Sequence, residues 1–566
     1  LWADAENNLS GRIWIGTFNK FNSKGGNIYI AGGADDGGTA SGISSSVMRV
    51  GDGAPDGYAR AEGSGYSVET AGVNLGNRTI ITSSVSQNGA GGDVFIAGRG
   101  SQSASAVSSE KGVMADNITI DSGQGHIAMF GKSSSVNFGS SYGIFLRSNQ
   151  DATLTQIVSA NTSSDAIVLS GDSSASTTLY STGFLTYYSV PAGSQTGTRI
   201  AAIGSGGGVQ IYGASGSAAA SGSNNGAGVE LNFTEVLANG GPIYVEGKTN
   251  NATKPGISLG LFASAGNANY IGSRTGVSVN GVSLASSTSN VTMSADIIQQ
   301  NSAYPTYINT NGAVLIQPLT NNFASTFDNT GINVSTGASS ITIGKDGNTG
   351  GITIGTGLTA GSITIKGGVV TATANLLTNS IVPRAGPITI IATSAYTQNG
   401  TATASLDSDI LITTDSVTFG GSAVVRSNLP AAGNSAAIGA IEISNFTSGR
   451  GVRIGTTTTG FLSVAAADLA KLQAKFLRVG SATAGATVIN ADITRNTATN
   501  GTYADLQTLK IISGSTVSSS NAITVANLAV QATGAINLSG QNTVGKLALN
   551  SAVTGSAAVA FTAKTG

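Results

Sequence analysis

ITIGKDGNTGGITIGTGLTAGSITIKGG, from Ile341 to Gly368, repeats one phrase three times: an apolar, polar, apolar triplet closely followed by glycine. The triplets begin at Ile341, Ile352 and Ile363, an interval of 11. The same interval separates Ile441 from Val452 and Ile536 from Leu547. Alternation places Ile341 and Ile343 on one face of the chain and Thr342 on the other, the pattern of a strand buried on one side. About eight residues separate successive strands and show no helical period, whereas a doubly wound sheet or TIM barrel needs crossovers of a dozen or more. Winding the chain as a solenoid satisfies both facts. In a coil of roughly 20 to 22 residues, two 11-residue units make one turn and each strand pairs with its equivalent a turn away.

The texture extends outward from this run. GGNIYIAGG (Gly25 to Gly33), GGDVFIAGRG (Gly91 to Gly100) and NITIDSGQGHIAMFG (Asn117 to Gly131) are short strands bounded by turns. At about 4.8 Å per turn, some 26 turns would give a rod on the order of 120 Å, shortened by insertions. ASGISSSVMRVGDGAPDGYARAEGSGYS (Ala40 to Ser67) and GASGSAAASGSNNGAG (Gly213 to Gly228) break the pattern and are predicted to be loops leaving the coil. Phe145, Phe184, Tyr187 and Tyr188, between Tyr142 and Val190, are predicted to fill the core in preference to decorating a face. SVAAADLAKLQAKFLRVG (Ser463 to Gly480) is the exception to the β texture. It sets Leu469, Leu472 and Phe476 at helical spacing, with Asp468 early and Lys471 and Lys475 late as a helix dipole favours, and predicts a short helix.

Composition agrees with this architecture and excludes several functions. Charged residues are 10% of the 566, against about 25% in ordinary domains, while 80 glycines are about twice the usual share. The 40% hydrophobic content supplies a core, which argues against disorder. Without cysteine there is no disulfide framework, thiolate metal site or cysteine nucleophile. A net charge of -1 offers no field for nucleic acid, and no stretch of about 18 apolar residues is present to insert in a membrane. The chain begins LWADAENNLS, without an initiating Met or signal peptide, and ends at AKTG inside the same texture, which reads as an internal fragment with uncapped, sticky ends that associate end to end.

ADLAKLQAKFLRVGSATAGATVINADI (Ala467 to Ile493), QATGAINLSGQNTVGKLALNSAVTG (Gln531 to Gly555) and the glycine-bracketed triplets give the chain a resemblance to the filamentous-haemagglutinin-like exoproteins of two-partner secretion in Gram-negative bacteria. The resemblance covers the chain from about Gly331 onward and patches before it. It implies a right-handed parallel β-helix, export through an outer-membrane transporter of the two-partner type, and a role as adhesin or fibre at the cell surface. No residue-level site carries over. The family's Asn-rich secretion domain and a carboxy-terminal toxin or anchor are not visible in this stretch, which then reads as shaft.

The expected fold is therefore all-β: a parallel β-helix (β-solenoid) with loop insertions and one short helix. Residues 1–335 are expected to form β-helix with longer loop insertions, 336–460 regular β-helix, 461–479 a short helical insertion, and 480–566 β-helix continuing beyond the fragment. The expected function is a structural shaft for adhesion or display, with a glycan or cell-surface ligand, or lateral packing into filaments, as its partners. The alternative is a carbohydrate-active β-helix enzyme or tailspike-like glycan-binding protein, which needs acids and bases converging in one groove.

Candidates for such chemistry are few. Asp35 and Asp36 are adjacent in a Gly-rich turn, where carboxylates cap backbone. Asp407 and Asp409 share a face in SLDSDILITTDS with Asp415 nearby, and read as solvated turn carboxylates. His126, the lone histidine, has no second histidine for a metal and no nucleophile elbow beside it. GKDGNTGG (Gly344 to Gly351) is similar to a calcium-binding nonapeptide turn but has one Asp and no tandem copy. Thr342, Thr353 and Thr364 are candidates for an outward threonine ladder, the arrangement of ice-binding solenoids and also the preference of any exposed β face. The sequons at Asn117, Asn232 and Asn445 arise from composition. No catalytic, cofactor or metal residue is assigned, and the chain reads as a non-enzyme.

Overall fold

The triplets stack. In a computed structural model of the chain, Ile341 pairs in parallel with Ile363, Ile363 with Ile388, Ile388 with Ile410 and Ile410 with Ile441. Two residues on, Ile343, Ile365, Ile390, Ile412 and Ile443 form a second column. All ten are 0% exposed. Full burial of such a side chain contributes about 1.5–3 kcal/mol, so these columns carry much of the stability of the coils they join.

The structure describes residues 1–3, 11–32, 58–60, 70–101, 109–133, 139–148, 154–177, 180–188, 197–217, 226–260, 267–378, 386–400, 403–406, 409–429, 439–495, 507–553 and 559–564. Two compact units divide the chain, Leu1–Ser335 and Thr336–Gly566. Among the described residues no helix is long and apolar enough to cross a membrane.

In the second unit the 22 residues from Ile341 to Ile363 make one coil, as the interval of 11 predicts. Ile352 lies on another side of that coil and pairs with Val370. The threonine ladder is therefore corrected. Thr342 stacks with Thr364 and Thr389, whereas Thr353 belongs to a separate column with Thr371, Thr397 and Thr418. Coil length then varies: Ile441 pairs with Leu477, 36 residues on, whereas Leu509 pairs with Leu528, 19 residues on.

The expected short helix is present but shorter than the segment that carries the spacing. Only Ala466–Leu469 is helical, and Leu472–Gln473 and Phe476–Ser481 are strands. Leu472 pairs with Val425 and Leu477 with Ile441, while Phe476 is 40% exposed, so the three residues at helical spacing share no buried face. A preformed strand edge offers each backbone group a partner at once, which outweighs a weak local helical preference. Asp468 turns inward and accepts the Phe419 backbone N–H at 3.3 Å, and Lys471 donates to the Phe419 carbonyl, so the helical turn ties itself to the strand Val417–Phe419.

The first unit has three parallel sheets. Strands Val94–Arg99, Ile127–Lys132, Ile167–Asp172, Val209–Ser215 and Ile243–Thr249 follow one another in the first, and Glu110–Asp116, Ser140–Ser148, Tyr180–Tyr188, Val229–Leu231 and Ile257–Leu259 in the second. Thr119–Asp121, Thr155–Ser159, Thr198–Ala202, Thr234–Ala238 and Asn269–Gly272 make the third. Their inward residues, such as Ile127, Ile144 and Ile157, are 0% exposed. Ile127 pairs with Val94 and Ile167, 33 and 40 residues away, and Ile243 with Val291, 48 away. A coil of 20 to 22 residues does not hold here, and the expected turn number falls with it. These coils have three sides, and several add an excursion between the first and second sheets; the passage from Ser294 to Ile298 is too short for one. Of the expected loops, 40–57, 61–67 and 218–225 lie outside the described residues.

A seam of glycine joins those two sheets. Gly98, Gly131, Gly171, Gly213 and Gly247 are in register on the first sheet. Gly112, Gly143, Gly183, Gly228 and Gly256 stand opposite on the second, so close that a Cβ on Gly171 would overlap the Gly183 carbonyl, and one on Gly213 the Gly228 carbonyl. Beyond the seam the excursion has a lining of small polar side chains. Ser173 and Ser181 face each other there at 2.9 Å, and Ser181 accepts the Gly216 N–H at 2.8 Å.

A hairpin clasps the third sheet. Val277 to Leu284 reads VSVNGVSL, alternating residues around Asn-Gly, the strongest short hairpin signal. Asn280 (φ 49°) and Gly281 (φ 82°) take the left-handed conformations that a two-residue turn requires. Val279 and Leu284 pack on Val158, Ala201 and Leu237, outward residues of three successive coils. At the tip, Asn280 donates to Asp121 at 3.0 Å and accepts from Asn88 at 2.8 Å, bridging coils remote in sequence. Leu284→Ala should cost about 2–4 kcal/mol. Hydrogen exchange should then rise in Thr155–Ser159, Thr198–Ala202 and Thr234–Ala238. Unchanged protection of those amides would mean that the hairpin only decorates the sheet.

Candidate functional site

Polar chemistry concentrates on the outer face of the second sheet. Strand alternation sends Val229 and Leu231 into the core and Glu230 outward. Register then builds an outward column of Met114, Phe145, Leu185, Glu230, Ser258 and Gln299. The column is apolar at one end and polar at the other, and Glu230 is the junction. Phe145 stacks on Tyr142 with centroids 5.1 Å apart, and the Lys111 ammonium lies 5.9 Å from the Tyr142 ring. In the next column Arg147 grips Asp116 with two parallel bonds of 2.5 and 2.7 Å.

Although it points away from the core, Glu230 is only 2% exposed. Asn232 donates to its Oε1 at 3.0 Å, and Asn232 is itself held by Thr186, whose hydroxyl accepts the Asn232 N–H at 2.8 Å. Burial pushes the Glu230 carboxyl up to about 7, with the Asn232 bond opposing. A hollow of about 170 Å³ opens beside it, lined by Ser140, Tyr142, Tyr180, Thr182, Leu185 and Gly226. The next outward residue of the column, Ser258, is 1% exposed and its hydroxyl has no hydrogen-bond partner among the described residues. Farther along the face a second hollow of about 450 Å³ is lined by Gln299, Gln300, Asp328 and Thr330, among others.

His126 occupies a different corner, where the third sheet turns into the first. Its Nδ1 lies 3.2 Å from Asp93 Oδ1, its Nε2 is 3.0 Å from the Ser163 hydroxyl, and Asp165 is 3.8 Å away. The hydrogen bond with Asp93 holds the imidazole pKa above its usual value and the Asp93 carboxyl below its own. The same Asp93 oxygen also accepts the His126 backbone N–H at 2.8 Å, a coil-to-coil cap. Asp409 caps Ala440 in the same way at 2.8 Å.

The other candidates fall into structural places. Asp415 accepts the Thr447 N–H at 2.8 Å and faces Arg450 at 3.4 Å. Asp407, Asp35 and Asp36 lie outside the described residues. In GKDGNTGG, Asp346 pairs with Lys366 at 2.8 Å, and Asn348 accepts the Gly350 N–H at 2.9 Å. The sequon residues Asn117, Asn232 and Asn445 are at most 4% exposed. Phe184 is fully buried in the core, whereas Phe145 and Tyr187 pack together on the outer face at 5.8 Å. Tyr188 is 4% exposed and meets Phe233 edge-on at 4.9 Å. Sequence reasoning passed over Glu230, Tyr142 and Tyr180. The signal available was one acid between two core residues in GVELNF.

Scans against protein-family models, curated proteins and solved structures return no match.

Proposed function

We propose that the chain is a structural shaft of a large secreted or surface-displayed bacterial adhesin or extracellular fibre, exported by the two-partner route of Gram-negative bacteria. The observation that carries this reading is the unbroken pair of isoleucine columns from Ile341 to Ile443, in which each coil templates the next through parallel pairing. Such an element propagates by nearest-neighbour contacts and needs no ligand to hold its form. The low charge and the absence of cysteine suit an element built by repetition, and the phrases around Ala467 to Ile493 supply the resemblance to two-partner exoproteins. Binding would then fall to side chains and loops on the outer faces.

Electron microscopy of the native material tests the proposal. Single cell-anchored rods of β-helix diameter are the expected result for an adhesin shaft, and regular bundles for a structural filament. Compact globules would overturn both.

A further inference from the structure

We propose that the outer face of the second sheet, from Tyr142 to Gln299, is a binding track for a neutral glycan, with the hollow beside Glu230 taking one sugar ring. This inference is independent of the shaft reading and stands on local geometry. A sugar ring presents a hydroxylated edge and a patch of C–H bonds. Tyr142 and Tyr180 supply aromatic surface with polar tips for the second, and Ser140, Thr182 and Glu230 supply donors and acceptors for the first. At about 170 Å³ the hollow is smaller than the roughly 300–1,000 Å³ of sites for drug-sized ligands, which suits a single ring.

Strand register extends the site into a track. Between Glu230 and Gln299 the column holds Ser258, a small side chain that is 1% exposed and lines neither hollow. One step beyond, Gln299 joins the same column and lines the second hollow. Glu230 and Gln299 are two strand spacings apart, about 9.6 Å, so a ligand reaching both has more than one ring. The cations on this face are already engaged: Arg147 by Asp116, and Lys111, 1% exposed, by the Ser109 hydroxyl at 2.9 Å and the Tyr142 ring. That leaves a neutral glycan as the better fit than an acidic one. Among the described lining residues the first hollow holds one carboxyl, Glu230, and the second holds Asp328, whereas glycoside hydrolysis ordinarily uses a pair in one site, so the activity proposed is binding.

The test uses the full 566-residue chain and a defined panel: methyl pyranosides of glucose, galactose, mannose and N-acetylglucosamine, their neutral tetramers, and a uronate tetramer as acidic control. Saturation-transfer NMR identifies binders and calorimetry measures them. The expected result is saturable binding of a neutral tetramer, weakened at least tenfold by Tyr180→Ala with the unfolding midpoint unchanged. Gln299→Ala should weaken the tetramer and leave the matching methyl pyranoside unaffected. No saturable binding by any neutral saccharide, binding of the uronate tetramer alone, or indifference to both substitutions would each overturn the proposal.

Discussion

Glu230→Gln should leave stability nearly unchanged at pH 4.5 and raise it by about 3 kcal/mol at pH 8. The carboxyl has an ordinary value of 4.5 in the unfolded chain and about 7 in the folded one. Between those two pH values the folded state holds a proton that the unfolded state has released. Stability associated with this group is therefore fully present below pH 4.5, is lost as pH rises toward 7, and stays lost above. A difference of about 2.5 pKa units corresponds to about 3 kcal/mol. The amide of the variant still accepts from Asn232 through its carbonyl oxygen and does not titrate. His126 contributes with the same sign and Asp93 with the opposite one, but both are about one-third exposed and solvent screens them. Neither is touched by the substitution, so subtracting the wild-type curve from that of the variant isolates Glu230. Denaturant unfolding of both proteins at pH 4.5, 6 and 8 measures it. Parallel curves would show that folding leaves the carboxylate as well solvated as it is in the unfolded chain.

The core was legible in sequence because its signal is local. Ile341, Ile352 and Ile363 declare a half-buried strand by alternation, and an interval too short for a crossover leaves little but a coil. The coil length of the first unit was not legible. Repeats there recur at 33, 40 and 48 residues, so no fixed period aligns Gly131 with Gly171 or sets both against Gly143 and Gly183. Those glycines read as turn residues, while the structure spends them on close approach inside strands. The segment from Leu469 to Phe476 failed for the opposite reason. Its 3.6-residue spacing is genuine locally, but Val425 and Ile441 were already waiting as strand partners.

Glu230 shows where sequence reasoning ends. Alternation with Val229 and Leu231 correctly sends it away from the core, and an outward acid on a β face is ordinarily solvated. What makes it unusual is that its outer face is also covered, by residues distant in sequence that leave only the hollow beside it. Tyr142 and Tyr180 join it through parallel pairing across strands 40 residues apart, a relation that exists only once register is known. The isoleucine columns of the second unit face a core, the Glu230 hollow of the first unit faces outward, and the two obey different rules. The first demands repetition. The second requires repetition to be broken at one position per coil.

The seam supplies the second large effect. Gly171→Ala should destabilise the first unit by about 3 kcal/mol, at the upper end of the usual overpacking cost. Propensity alone argues the other way, since alanine in a strand interior is favoured over glycine by about 0.5–1 kcal/mol. The sign of the measured change therefore decides which term wins. Steric overlap should prevail because the added methyl meets the Gly183 carbonyl and the Ile144 backbone, neither of which has a rotamer to change. Relief requires the two sheets to separate, and register passes that movement to Gly131 and Gly213 in the adjoining coils. Gly421→Ala is the matched control, because nothing lies within 4 Å of the Cβ it would add. It should shift stability by no more than about 0.5 kcal/mol. Denaturant midpoints of the two variants beside the wild type measure both changes. Equal, small shifts would mean that the sheets part without cost and that the seam is not what holds the first sheet to the second.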